Sequence, residues 1–252
     1  MKIHCHYILF SGFCAALCWL TGCQKHLNVK EVISLHASSD QLLADGSAKD
    51  ILYADLPIAT LASLRGVTFK ASSGLFDNGA DTMSVFANRT DVTVNKITAS
   101  VVLHASLRSG PDTVSASTST VPQQTDFVYL TLNPSSPATI QLTPLFLQLT
   151  NVFGMQVAFT GLLQNADGGM VSQGVKVKFI DQAEDNPTLP KGVFSPQVAV
   201  LDTASVVSTT YYPPLLPAGS AGVYIVITAI ILDASDQPTN MTATARIFIS
   251  PS

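Results

Sequence analysis

Val175-Lys176-Val177-Lys178-Phe179 alternates apolar and charged side chains without a break. A period of two puts Val175, Val177 and Phe179 on one face and both lysines on the other, the pattern of a strand with one buried face. Working outward, Val157-Ala158-Phe159-Thr160 with Leu163, and the run ATARIFI at residues 243–249, alternate in the same way. Asp45-Gly46, Asp77-Asn78-Gly79, Asp167-Gly168-Gly169 and Pro213-Pro214 are turn signals between such runs. From residue 31 onward Val, Ile, Thr, Ser and Ala dominate, with little helical periodicity. Many short strands joined by polar turns imply an all-β sandwich or barrel. The longest later apolar run, VYIVITAIIL at residues 223–232, is broken by Thr228 and is too short to cross a bilayer. It reads as a strand buried on both faces, or as two strand ends meeting.

The same unit recurs. Val67-Thr68-Phe69 followed by Gly74-Leu75-Phe76 matches Val177-Lys178-Phe179 followed by Gly192-Val193-Phe194. The strand opening at Gly110 and running through Val114 and Ala116 matches the one from Gly222 through Val226 and Ala229. Leu130-Thr131-Leu132-Asn133-Pro134-Ser135 matches the closing Ile247-Phe248-Ile249-Ser250-Pro251-Ser252. The order of these matches predicts two tandem domains, residues 31–133 and 134–252. Asn133-Pro134-Ser135-Ser136-Pro137 is expected to act as a stiff hinge that stops strand pairing from running across.

The stretches ADGSAKDILYADL (residues 44–56) and GVTFKASSGLF (66–76) in the first unit, and LLQNADGGMVSQGVKVKF (162–179) in the second, resemble bacterial immunoglobulin-like domains of the invasin and intimin group. In that family an Ala-Asp-Gly opens a strand and a Val-x-Phe strand leads to glycine. The first unit departs from the pattern at LPIATLASL (56–64), which lacks the usual turn glycine. The second departs by a longer insert at residues 181–191. The resemblance implies two tandem immunoglobulin-like β-sandwich domains. Antibody-type features are missing: the only tryptophan is Trp19, and no cysteine follows Cys23.

The start of the chain carries a different signal. Lys2 precedes a nearly unbroken apolar run at residues 7–20, long enough for the core of an export signal and short of a spanning helix. The run ends in Leu20-Thr21-Gly22-Cys23. This resembles the lipobox of bacterial lipoproteins: an aliphatic residue, two small ones that let a peptidase reach the backbone, and a cysteine whose thiol takes the lipid. The resemblance implies a signal peptide over 1–22 and a lipidated tether over 23–30 carrying palmitate-type acyl chains on Cys23. Several chains on one residue anchor stably, where a single chain holds only marginally. All four cysteines lie within residues 1–23, so Cys5, Cys14 and Cys18 are small apolar residues of the discarded segment. The chain beyond them must fold without a disulfide. By the sorting rule of enterobacterial lipoproteins, Gln24 directs the protein to the outer membrane; which membrane face it occupies stays open.

Composition excludes some functions. The chain has 13 Lys+Arg against 17 Asp+Glu, and Lys2 is the only charged residue among 1–22. The remainder therefore carries 12 against 17, a net of −5, with no basic patch for nucleic acid. Candidate chemistry is sparse. Of the three histidines beyond the signal, His26 lies in the tether, while His36 and His104 sit in the strand-like runs VISLHAS and SVVLHAS. Nothing has the spacing of a zinc site, a nucleophile elbow or a phosphate loop, so neither metal, cofactor nor catalytic residue is assigned. Asp77-Asn78-Gly79-Ala80-Asp81, and Asp181 with Glu184 and Asp185, supply oxygens without calcium-loop spacing and read as turn chemistry. Three Asp-Thr-apolar triplets, at Asp81, Asp112 and Asp202, resemble a short O-glycosylation acceptor of Bacteroidota.

Tyr211-Tyr212-Pro213-Pro214 has two readings: an exposed aromatic rim for a glycan or protein, or tyrosines that fold back onto the sandwich, the second being preferred. The expected function is that of a non-enzymatic cell-envelope lipoprotein serving as spacer, adhesive or binding module. It contacts the membrane through Cys23 and a protein or glycan through the loops of the second domain. The alternative is a carbohydrate-binding accessory lipoprotein of an outer-membrane glycan-uptake system.

Overall fold

The computed structural model describes residues 28–251 apart from 121, 186, 203 and 218; the lipobox and Cys23 lie outside the described residues. A single turn of helix, α1 (Val29–Val32), leads into β1 (Ser34–Ala37), β2 (Gln41–Ala44), β3 (Lys49–Pro57), β4 (Gly66–Ala71), β5 (Leu75–Phe76), β6 (Thr82–Phe86), β7 (Arg89–Asp91), β8 (Lys96–His104), β9 (Gly110–Thr118) and β10 (Thr125–Pro134). One sheet runs β1-β3-β8-β5, with β7 also on β8, and the facing sheet runs β2-β10-β9-β4-β6. Between them lies a core that includes Phe69, Phe76, Leu52, Ile97, Leu103 and Leu132. Burying each such large side chain contributes about 1.5–3 kcal/mol relative to leaving it exposed.

The second half repeats this plan. It comprises β11 (Thr139–Pro144), β12 (Gln148–Thr150), β13 (Val157–Gln164), β14 (Lys176–Ala183), β15 (Val193–Ser195), β16 (Val198–Val200), β17 (Val206–Tyr212), β18 (Val223–Leu232) and β19 (Pro238–Ser250). The sheets run β11-β13-β17-β15 and β12-β19-β18-β14-β16, the first sandwich's orders with β7 left out. Each pair of segments matched in the sequence falls on equivalent strands: β4 with β14, β5 with β15, β9 with β18 and β10 with β19. In both halves the short second strand pairs parallel with the last one, Leu42 opposite Leu132 and Leu149 opposite Ile249. The matched glycines are steric necessities. A Cβ on Gly74 would sit 2.7 Å from the His104 carbonyl oxygen, and one on Gly192 would collide with the Tyr211 ring.

A buried aspartate anchors the segment before each of those short strands. Asp112, fully buried, accepts from the backbone N–H groups of Ser72, Ser73 and Gly74 and from the Ser72 hydroxyl. Asp181 accepts from Gly192 N–H at 2.7 Å and from the Tyr211 hydroxyl at 2.7 Å. Burial of such a carboxylate is tolerated because its lone pairs are satisfied.

One expectation changes. Residues 223–232 form one strand, β18, buried on a single face; Val226, Ile230 and Leu232 on the other are half-exposed, because no layer covers the outer side of this sheet. The proline-serine segment, expected as a stiff hinge, is packed. Asn133 and Pro134 still belong to β10, and Ser135 is buried in a polar junction between the sandwiches. The Ser135 N–H donates to the Ser172 hydroxyl at 2.8 Å, and that hydroxyl donates across to the Ala44 carbonyl at 2.7 Å. Gln173 N–H donates to the Leu107 carbonyl at 2.8 Å, a second backbone link between the halves. Asn165 completes the knot, giving its amide N–H to the Ser135 hydroxyl and taking the N–H groups of Asp167 and Gly169 on its oxygen.

Candidate functional site

Strand alternation places His36, Tyr53, Asp55 and Thr98 on the outer face of the β1-β3-β8 sheet, and β7 adds Arg89 and Asp91 at its edge. The His36 and Tyr53 rings stack, centroids 5.3 Å apart. Asp55 accepts from Lys96 Nζ at 2.9 Å and Thr98 Oγ1 at 2.6 Å, with His36 Nδ1 at 3.9 Å. Burial works against its charged form, but the hydrogen bonds from Lys96 and Thr98, with the charges of Lys96 and His36, outweigh it and hold the carboxyl below its ordinary range. Asp91, bonded to the hydroxyl and N–H of Thr93, is also held low. Together these groups line a shallow concavity of about 290 Å³. No sequence motif pointed here, since the groups are scattered over some sixty residues.

The residues singled out in the sequence mostly disperse. His104 ends β8 with Nε2 2.7 Å from Asp77 Oδ1, and Asp77 begins a turn closed by Asn78 accepting from Ala80 N–H. Asp181 points into the core while Glu184 pairs outward with Arg246, so these carboxylates do not converge. Among the described residues no three His, Cys, Asp or Glu side chains are grouped to hold a metal ion. Tyr211 is 0% exposed, in phase with Val207 and Thr209 on the buried face of β17, and packs against Phe194 at 4.7 Å between centroids. Burial first, then the hydrogen bond and charge of Asp181, push its hydroxyl pKa far above that of an ordinary tyrosine. The exposed-rim reading is therefore corrected for Tyr211; Tyr212 alone, 40% exposed, remains on the surface. Of the triplet residues, Thr82 is exposed, whereas Asp112 is committed to the core.

A larger feature lies at the end of the second sandwich farthest from the junction, where β12 and β19 end and β13 and β18 begin. Val152-Phe153-Gly154-Met155 forms a tight turn closed by Met155 N–H to the Val152 carbonyl, with Gly154 at φ +79°. Phe153 stands at its apex, 93% exposed. Asn151 clamps the neighbouring loop, donating to the Leu216 carbonyl and accepting from its N–H. Leu145, Phe146 and Leu147 are exposed beside this turn, their backbone fixed by Leu145 N–H to Ala158 and Phe248 N–H to Leu147. Leu215 and Val152 add to the patch. The chain has no charged residue from 127 to 166 or from 203 to 232. Monomeric proteins rarely leave so many large apolar side chains contiguous at a surface without a partner.

Comparison with known proteins rests on structure. No protein-family profile and no curated protein sequence matches the chain. Among solved structures, the adhesin InvE of Yersinia pseudotuberculosis aligns over 88% of this chain and 60% of its own, with a TM-score of 0.51 and 15% identity. Invasin, described as a bacterial integrin-binding protein, aligns over 88% of this chain and 39% of its own, with a TM-score of 0.53 and 14% identity. The fold is that of tandem bacterial immunoglobulin-like domains. The chain thus spans 60% or less of either structure's length.

The two immunoglobulin-like domains serve as controls for each other. In the first, the end of β2 and the loop after β8 meet the second domain, through Ala44 and Leu107. Their equivalents in the second domain, after β12 and β17, carry Val152, Phe153 and Leu215. The apolar pole is therefore the end of the second domain equivalent to the end at which the first domain meets its neighbour. Conversely, the outer face of the β11-β13-β17 sheet carries Thr, Ser, Gln, Ala, Leu and Val with Tyr212 at the end of β17, and no charged side chain, so the fold does not require the ionic cluster on the first domain.

Proposed function

We propose that this chain is a non-enzymatic cell-envelope lipoprotein, held in the outer membrane by acyl groups on Cys23. Its two immunoglobulin-like domains act as a spacer that presents an adhesive pole to a protein partner. The observation that carries the reading is the exposed apolar side chains Phe146, Phe153, Leu145 and Leu215, clamped by Asn151 at the end of the sandwich that in the first domain is occupied by a neighbour. Rigid aromatic and aliphatic side chains on fixed backbone lose little entropy on docking and fill a partner's pockets. The β1 end, where the chain enters from the tether, lies at the opposite extreme, so the pole faces away from the anchor. Two structural neighbours whose names describe an adhesin and an integrin-binding protein support this direction.

Beads coupled through the protein's N-terminal end are expected to be retained on epithelial cell layers. The Phe146→Ser, Phe153→Ser double variant should lose retention by at least about tenfold, as for a central anchor residue. Equal retention removes the pole from this reading, and no retention of the unsubstituted protein removes the adhesive role. The anchor is checked separately: Cys23→Ser should leave the membrane fraction, and mass spectrometry of the intact chain should find acyl groups on Cys23.

A further inference from the structure

We propose that the outer face of the first domain's β1-β3-β8 sheet is a binding site for a neutral oligosaccharide, with the Tyr53–His36 stack as its platform and Arg89, Asp91 and Asp55 as its polar ring. Four observations carry this. First, the second domain builds the same sheet with no charge on the corresponding face, so folding does not explain the cluster. Second, β7, which brings Arg89 and Asp91 to the site, has no counterpart in the second sandwich among the described residues. Third, the Tyr53 hydroxyl and the Arg89 guanidinium make no hydrogen bond among the described residues, Arg89 acting on Asp91 only through its charge, although both border the 290 Å³ concavity. Fourth, Asp55 is fixed by Lys96 and Thr98, which holds one acceptor rigidly beside the aromatic pair.

The chemistry matches a sugar. Its C–H face packs on an aromatic plane, its hydroxyls accept from guanidinium and phenol, and they donate to carboxylate oxygens. Charge selects a neutral ligand, because Asp55 and Asp91 are matched by Lys96 and Arg89. The site lies on the flank of the first domain, so it is independent of the pole on the second.

The test uses the full-length chain in mild detergent, titrated calorimetrically with cellohexaose, maltohexaose, xylohexaose, mannohexaose and chitohexaose, and with hexagalacturonate as the charged comparison. At least one neutral hexasaccharide should bind with a Kd below about 1 mM. Tyr53→Ala and Arg89→Met should each weaken that binding by about tenfold or more, and Tyr53→Phe should fall between. Tyr129→Ala, which removes an exposed tyrosine from the opposite sheet, and Phe153→Ser at the pole should leave it unchanged. Should Tyr53→Ala fail to fold, Arg89→Met on the exposed edge strand carries the test alone. Absence of binding to every neutral sugar, preference for hexagalacturonate, or binding indifferent to Tyr53 and Arg89 would each overturn the proposal.

Discussion

Ser172→Ala removes one oxygen atom and opens the join between the domains. The Ser172 hydroxyl accepts from Ser135 N–H and donates to the Ala44 carbonyl, and Ser135 and Ser172 are 2% and 3% exposed. Alanine fits the space but leaves a buried N–H and a buried carbonyl short of a partner. Each such group costs about 1–3 kcal/mol, so the pair costs about 2–6 kcal/mol in the joined state. Separated domains regain water at both groups, so the loss falls on the coupling between domains rather than on either core. With a urea slope of about 2 kcal/mol/M for a small domain and a mid-range cost of about 4 kcal/mol, decoupling should move one unfolding midpoint down by roughly 2 M and split a shared transition into two. Small-angle scattering should show a larger radius of gyration as the join opens. An unfolding curve that superposes on that of the unsubstituted protein, with an unchanged radius, would refute the claim that this hydroxyl joins the domains.

Other substitutions probe the cores and the ionisable groups. Tyr211→Phe deprives Asp181 of a buried donor and should destabilise the second domain by about 1–3 kcal/mol, read by urea unfolding, with the first domain's transition unmoved. Asp112→Ala leaves the N–H groups of Ser72, Ser73 and Gly74 without their acceptor and should lower the first domain's stability by at least about 3 kcal/mol. Asp45 is held low: burial opposes its ionisation, but the N–H groups of Ala48 and Ser47 outweigh it, as Lys96 and Thr98 do for Asp55. A carboxyl depressed in the folded state takes up its proton more readily when unfolded. The stability it supplies is therefore complete above the unfolded carboxyl pKa of about 3.9 and is lost as pH falls through the folded value. Melting midpoints should accordingly hold between about pH 7 and 5 and drop below about pH 4, and Asp45→Asn should flatten that drop.

Much of the fold was legible because its determinants are local. The alternation at residues 175–179 fixed which face of β14 is buried, and the matched glycines marked where β5 and β15 pass too close to a neighbour for any side chain. The same period of two was present at 206–212 and places Tyr211 in phase with Val207, a signal weaker to the eye than the paired tyrosines and prolines. For residues 223–232 the composition permits two covered faces, and whether a second layer exists is a tertiary fact that no strand carries within itself. The candidate sites were illegible for a related reason. His36, Tyr53, Asp55, Arg89 and Asp91 meet only through the pairing of four strands, so no spacing announces them. Leu145, Phe146, Leu147 and Phe153 have the composition of a core strand; only the closed turn at Gly154 and the sheet crossover turn them outward.

The parallel pairing of β2 with β10 and of β12 with β19 has a mechanical consequence. In each domain a strand near the point of entry lies alongside the strand that leaves, so tension between the two ends of the chain slides them past one another lengthwise. Their slanted hydrogen bonds are then strained together instead of parting one at a time as in an unzipping hairpin. A molecule pulled between two surfaces would yield abruptly and at high force, one domain after the other, with no covalent cross-link needed to resist the pull.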